Sequence, residues 1–371
     1  MNTNPIRVGI IGVHPDQGWA STAHIPALQA LSQYRIQAIS HHDADIAKAA
    51  AEKFGVPSYF DSNRDLVTLP DVDLVVVTVK VPRHRELVTQ ALEAGKAVFS
   101  EWPLGVNLAE AQALRDLAHT NRIATSIGLQ TRAAPAFAYA RDLIRDGFVG
   151  EVLSATMIGS GIIWGDAMSE GYAYTLDRAN GAAMVNVPFA HSIDGLLHVL
   201  DSRFEIVSAL LGNARHTIRM VETGAERPLS VADQVQLVGK LTNGAAVTTH
   251  FRGGLSRGTN FHVEINGTQG DLILTSPIGY VGIGGTRVMG ARQAEELHEL
   301  EIPDDYNLHR DVAMPGQAIA IGYARLASDL HQGTHLSPTF ADAVELHRLI
   351  TTIERSEGME KRISAPSPTL V

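Results

Sequence analysis

The chain has 371 residues, 45% hydrophobic and 19% charged, with a net charge of -10 and no cysteine. That length suits two domains, each large enough for its own core. The acidic balance argues against nucleic acid and anionic lipid as partners, because both attract a surplus of Lys and Arg. The absence of cysteine excludes disulfides, thiolate nucleophiles and cysteine-based metal sites. Met1 to Arg7 lacks a signal-peptide pattern, and no apolar run approaches the roughly 20 residues of a membrane helix. The expectation is a cytoplasmic protein with no membrane partner.

In chain order, the first part alternates β-rich apolar runs with longer helix-period stretches, as parallel strands joined by crossover helices do. Strands are expected at Ile6–Gly12, Arg35–Ser40, Asp73–Val79, Ala97–Ser100 and Ile123–Leu129. A helix such as Arg85–Ala94 sets Leu87, Val88, Ala91 and Leu92 on one face and stops at Gly95. The prediction is an α/β fold: a Rossmann doubly wound parallel sheet over residues 1–130. An α+β substrate and oligomerisation domain with an open, mainly antiparallel sheet then covers 131–371.

In that second part Phe261, Val263 and Ile265 alternate with polar residues, the signature of a half-exposed strand. Asn243-Gly244, between Val235–Leu241 and Ala245–Phe251, predicts a hairpin with a type I′ turn. Helices at Gly316–Gln332 and Thr339–Glu357 finish the chain and are free to pack back on the first domain. An open antiparallel sheet needs covering, which points to a homo-oligomer, a dimer or tetramer.

The first strand runs into Gly9-Ile10-Ile11-Gly12-Val13-His14-Pro15-Asp16-Gln17-Gly18-Trp19. Gly12 sits where a strand must turn sharply for backbone N–H groups to face a pyrophosphate. The three-glycine form is incomplete, since His14 takes the second glycine position and the turn is stretched before Gly18. Alone this is two glycines in a turn. Its place after the first strand of an α/β pattern, and before the helical run Ser21–Leu31, favours dinucleotide binding.

NAD-specific domains carry an acid about 20 residues further on, at the end of the second strand, which holds the ribose 2′-hydroxyl. Here that strand ends Ser40-His41-His42-Asp43, with no carboxylate in the first position. A hydroxyl and two imidazoles can donate to a phosphate, so NADP is the expected cofactor. NAD stays open through Asp43, and two plain surface histidines in a loop are the competing reading.

From Val8-Gly9-Ile10-Ile11-Gly12 onward the order of motifs resembles the Gfo/Idh/MocA family of glucose-fructose oxidoreductases and myo-inositol dehydrogenases over nearly the whole chain. The resemblance runs through Thr78-Val79-Lys80-Val81-Pro82-Arg83-His84, then Ala91 to Gly95, and Glu101. It continues in Arg145 to Val152, Gly181 through His191-Ser192-Ile193-Asp194, and Gly267-Thr268-Gln269-Gly270. It implies hydride exchange between a nicotinamide and a sugar, polyol or related hydroxy compound, with His191 moving the proton. It also implies a lysine after Glu101 and an aspartate four residues before His191. Trp102 and Val187 stand there, with Asn186 the nearest polar residue to the missing aspartate. With Gly18-Trp19 and Glu101-Trp102, the pattern is more similar to the fungal galactose-repressor branch, which binds a dinucleotide and regulates.

The expected cofactor contacts are Gly12, His14, Gly18, Trp19, Ser40, His41, His42, Val79, Pro82, His84, Glu101, Trp102 and Gln130. The catalytic candidates are His191, Asp194 one turn later, and Lys80 in compensation for the absent lysine. For each a bland reading competes: a structural histidine, a helix-turn carboxylate, a surface charge. Sixteen histidines invite a metal, but no His-x-x-x-His pair has a third ligand at recognisable spacing, so none is expected. Two functions follow, an NAD(P)-dependent oxidoreductase on a small-molecule substrate and a catalytically quiet, NADP-binding regulator that responds to a sugar effector.

Overall fold

The computed structural model describes residues 4–280 and 284–356. Its first sheet is built from β1 (Ile6–Ile11), β2 (Tyr34–Ser40), β3 (Ser58–Phe60), β4 (Leu74–Val77), β5 (Ala97–Glu101) and β6 (Thr125–Gly128). All are parallel and ordered β3-β2-β1-β4-β5-β6, so the order reverses between β1 and β4. Ligands of open α/β sheets sit outside the strands' carboxyl ends at such a reversal. Every side chain of β4 is buried, as a central strand covered on both faces requires.

The five expected strands are present within a residue or two of their ends. The sixth, β3, escaped the pattern because three residues carry no period. Around the sheet lie α1 (Ile25–Gln29, after a π-helical turn Ala20–His24), α2 (Ala44–Phe54), α3 (Asn63–Val67), α4 (His84–Glu93) and α5 (Leu108–Asn121). Asp43 caps α2 by accepting from the N–H groups of Asp45 and Ile46.

Beyond α6 (Pro135–Arg145), the second sheet uses β7 (Val152–Gly161) and the strands that follow α7 (Ala190–Val199). A short β8 (Ala167–Met168) joins β10 (Thr217–Met220) and β11 (Glu226–Pro228) in a separate small sheet. The main sheet adds β9 (Phe204–Gly212), β12 (Gln234–Leu241), β13 (Ala246–Gly253), β14 (Phe261–Gly267), β15 (Gly270–Ser276), β16 (Arg287–Arg292) and β17 (His298–Glu299). Its order is β17-β16-β15-β14-β7-β13-β12-β9, antiparallel except for β7 beside β13.

The hairpin falls at Asn243-Gly244, but the turn is not type I′. Only Gly244 has positive φ (93°), Gly244 N donates to Leu241 O, and Leu241 N donates to Ala245 O. That is a three-residue loop ending in a left-handed glycine.

Two helices close the described chain. α8 (Gly316–Gln332) shares a core with β1, placing Ile319, Tyr323 and Leu326 among Ile6, Val8 and Ile10. α9 (Phe340–Arg355) starts from a Thr339/Asp342 capping box and packs on α5, β6 and β9. Glu357, the expected end of that helix, lies outside the described residues.

Candidate dinucleotide site and cleft

At the end of β1, Gly12 turns the chain with φ 92°. A Cβ there would lie 2.6 Å from Val79 Cγ1, so Val79 packs directly under the turn. The N–H groups of Gly12 and Val13 both donate to Ser40 O, at 2.9 and 3.1 Å. Those two donors tie β1 to β2 and are not offered to a phosphate, contrary to the sequence expectation. The outer part of the turn is open instead. Gly18 has φ 90° with nothing within 4 Å of its Cβ position, and the buried Trp19 Nε1 has no partner among the described residues. Lys53 Nζ braces the turn through Pro15 O (2.8 Å) and Asp16 Oδ1 (2.9 Å).

At the end of β2, Ser40 is fully buried and its hydroxyl donates to Asn63 Oδ1 at 2.8 Å, so it cannot serve a phosphate as expected. His41 stands edge-on to His14, with ring centroids 6.2 Å apart, and beside His42 at 4.3 Å. An open glycine, an unpartnered indole N–H and three imidazoles at the reversal of strand order fit a dinucleotide. Among the described residues no group of three His, Asp or Glu side chains could hold a metal ion.

The cleft joins the two sheets. Glu101 Oε1 lies 3.0 Å from His24 Nε2, and His24 Nδ1 lies 2.6 Å from Tyr323 Oη. The phenol donating to Nδ1 leaves Nε2–H for the carboxylate, which fixes the tautomer. Opposite, α7 brings in His191, whose ring stacks on Tyr280 at 6.4 Å and 15°. Its Nδ1 is buried and has no partner among the described residues. Burial pushes the His191 pKa down to about 4 while the charge on Glu101 works the other way. Burial raises the Tyr280 phenol, and Tyr172 and Glu101 add to that shift. Lys80 reaches over the Tyr174 ring, 4.8 Å from its centroid. The arrangement gathers a neutral imidazole, a neutral phenol and a carboxylate within electrostatic reach.

Several expected site residues are committed elsewhere. Trp102 is 5% exposed, its Nε1 donates to Asn186 O at 2.7 Å, and its ring lies 4.5 Å from that of His347 on α9. It faces the helix and fills core, contrary to the cofactor contact expected of it. Asp194 accepts two bonds from Arg132 (2.9 and 2.7 Å), and Arg132 also holds Asp342 at 2.8 Å. Burial opposes the Arg132 charge, but the two aspartates prevail and raise its pKa. Asp194 therefore does not orient His191.

His84 is buried with Nδ1 2.8 Å from Pro103 O and Nε2 2.8 Å from Val79 O. It clamps two loops together and keeps no nitrogen for a cofactor. Pro82 is exposed in the short turn Val81–Arg83. Gln130 Oε1 and Thr131 Oγ1 are buried without partners among the described residues, beside the end of β6.

Sequence reasoning missed His24, Tyr323, Tyr280 and Tyr174. His24 follows the glycine turn within the same helical run, a usable signal. The tyrosines come from distant segments and give no local one.

Fold and cleft define a class: a Rossmann-type parallel sheet followed by a mainly antiparallel sheet, the architecture of oxidoreductases. Residues 6–129 match the oxidoreductase family's NAD-binding Rossmann fold, and residues 135–276 match the C-terminal domain of Gal80p. The first sheet thus resembles the Rossmann domain of the Gfo/Idh/MocA oxidoreductases, and the second domain is similar to that of Gal80p.

It is 29% identical to the galactose/lactose metabolism regulatory protein GAL80 of Saccharomyces cerevisiae, over 96% of this chain and 94% of that protein. It is 34% identical to the dehydrogenase aclE of Aspergillus oryzae, over 53% of this chain and 55% of that one. A super-repressor mutant of Gal80p from Saccharomyces cerevisiae superposes with a TM-score of 0.85 at 27% identity, covering 95% of this chain and 96% of that one. A levoglucosan dehydrogenase solved with NADH and levoglucosan shares the fold, with a TM-score of 0.81 at 21% identity over 95% of this chain and 97% of that one. Among the described residues no helix is long and apolar enough to cross a membrane.

Proposed function

We propose that the protein is an NAD(P)-dependent oxidoreductase acting on a sugar, polyol or related hydroxy compound through an altered site. The observation that carries this reading is His191, a buried imidazole with an unpartnered nitrogen, held neutral at neutral pH beside Tyr280 and within reach of the Glu101 charge. A bound nicotinamide would supply the hydride acceptor or donor. His191 takes the hydroxyl proton when the alcohol is oxidised and returns it in the reverse direction. The carboxylate of Glu101, held by His24, which Tyr323 orients in turn, stabilises the imidazolium that forms. Gly18 and Trp19 border the diphosphate, and NADP is preferred to NAD because no carboxylate follows β2 directly.

The test is a panel of sugars and polyols offered to cofactor-loaded protein, read at the reduced-nicotinamide band. Turnover that collapses in His191→Ala supports the reading. Turnover unaffected by that change overturns it.

A second reading, a catalytically quiet regulator, is favoured by the commitments of Trp102 and Asp194. Trp102, at the position of the family lysine, donates to Asn186 O, Val187 at the aspartate position is apolar, and the GAL80 relatives are regulatory by name. Saturable NADP binding without turnover on any member of the panel would select it. Ile206, Leu210 and Val238 are exposed on one open face of β9 and β12. We read that face as a surface for self-association, and light scattering would report the dimer.

A further inference from the structure

We propose that His14, His41 and His42 form a proton-sensitive cradle for the 2′-phosphate of NADP, so that the preference for NADP over NAD grows as pH falls. This rests on the dinucleotide reading of the site and deepens it.

The three rings meet where the turn after β1 passes the end of β2, the place a doubly wound sheet presents to the adenosine ribose. His14 comes from the position normally held by a glycine, so this chain adds an imidazole on the far side of the ribose. His14 Nδ1 accepts the N–H of Asp16 at 3.1 Å, and His41 Nδ1 accepts the N–H of Asp43 at 3.1 Å. Each neutral ring must therefore carry its hydrogen on Nε2, which leaves a donor of the kind a phosphate oxygen requires.

Permanent charges nearby are already engaged. Lys53, from α2, is held by Pro15 O and Asp16, and Asp43 Oδ1 accepts the N–H groups of Asp45 and Ile46. On the β3 side the backbone N–H of His41 donates to Phe60 O at 3.1 Å. Ser40 is spent on Asn63. What a phosphate meets there depends on how many of the three imidazoles are protonated. Burial, then repulsion from His42, keeps the isolated His41 below its usual range, with His14 adding to the effect while Asp43 opposes it. A phosphate placed among the rings reverses that balance and draws a proton in.

The test is calorimetric titration of NADP and NAD at pH 8 and pH 6.5, above the phosphate's own second pKa of about 6. Uptake of one proton makes NADP affinity grow by up to about tenfold per pH unit. The ratio of NAD to NADP dissociation constants should therefore rise roughly 3- to 10-fold over that range. His14→Gln and His41→Gln keep a donor but cannot be protonated, and each should flatten the rise of the ratio between the two pH values, whatever it does to NAD affinity at either one. Repeating the NADP titration in buffers of different ionisation enthalpy should show proton uptake in the wild type and less in the variants.

A ratio that favours NADP equally at both pH values overturns the cradle and leaves the NADP reading standing. Tighter NAD binding at both values overturns both. A slope that survives in the glutamine variants also overturns the cradle.

Discussion

His191 and Asp194 lie less than one turn apart on α7 and both are buried, yet their surroundings differ. Asp194 has both oxygens filled by Arg132, which is anchored again on Asp342 of α9. His191 has a nitrogen with no partner among the described residues and a pKa pushed down by burial. A buried polar group that protein atoms satisfy is holding the fold together. One left unsatisfied costs free energy in the folded state, and where it borders a cleft a ligand can offset that cost. The same contrast separates Trp102, bonded to Asn186, from Trp19, whose indole N–H is unpartnered.

The sharpest way to break this contrast is Asp194→Ala. Removing one member of a buried pair leaves Arg132 with the half-exposed Asp342 alone, and such changes cost about 3–5 kcal/mol. Urea unfolding should show that loss, with cofactor affinity of the remaining folded protein unchanged. Undiminished stability with lost turnover would return Asp194 to the chemistry.

Trp102→Lys, the change that restores the family residue, should come close behind. It empties a core position and buries an ammonium against His347, where truncating a tryptophan alone costs about 3–5 kcal/mol. Turnover should not improve, even with Val187→Asp added. A stable, faster Trp102→Lys enzyme would mean that the cleft still has room for the lysine.

On the other side of the contrast, His191→Ala should leave urea stability within about 1 kcal/mol, since no hydrogen bond at Nδ1 is lost, and lower kcat by about 10² to 10⁴. The reverse pattern, an unfolded protein with normal residual turnover, would make His191 structural.

Much of this was legible in the sequence. Apolar runs of four to seven residues punctuated by glycine marked five parallel strands, and strict alternation marked β14, because burial on two faces and on one face leave different periods. Gly12, Gly18 and His191 stood in recognisable motifs. What could not be read was where polar side chains find partners. His84 between Val79 and Pro103, Ser40 on Asn63, and Arg132 between Asp194 and Asp342 depend on contacts up to 210 residues apart in sequence. No local pattern encodes such a pairing, so a committed side chain and a free one look alike until the chain is folded.

Acid stability sharpens the comparison by a smaller margin. His347 shares with His191 a buried, unpartnered nitrogen and a pKa pushed down to about 4, but its ring lies tilted against Trp102. Its folded pKa is depressed, so its contribution is fully present above the unfolded value near 6.5 and is lost as pH falls toward 4. His347→Phe should recover roughly 2 kcal/mol of the stability lost between pH 7.5 and pH 5, at about 1.4 kcal/mol for each pH unit below 6.5. Urea midpoints at the two pH values check this, and an unchanged difference would mean that His347 is not buried in its neutral form.

The smallest expected effect concerns Lys80, the residue that the missing lysine at 102 makes most tempting as a substitute. Lys80 is exposed, and its ammonium lies 4.8 Å from the centroid of the Tyr174 ring. A cation over an aromatic face at an exposed site is worth about 0.5–1 kcal/mol, which corresponds to a two- to fivefold change in an equilibrium. Lys80→Gln should therefore weaken substrate or cofactor binding severalfold at most, appear in KM before kcat, and leave unfolding untouched. Tyr174→Leu should match it, because each variant removes the same contact, and the double variant should be no worse than either single one. A loss of kcat of a hundredfold or more in Lys80→Gln, with Tyr174→Leu near wild type, would overturn this assignment. The ammonium would then be leaving the ring to polarise substrate, and the lysine of this site would have moved from β5 to the end of β4.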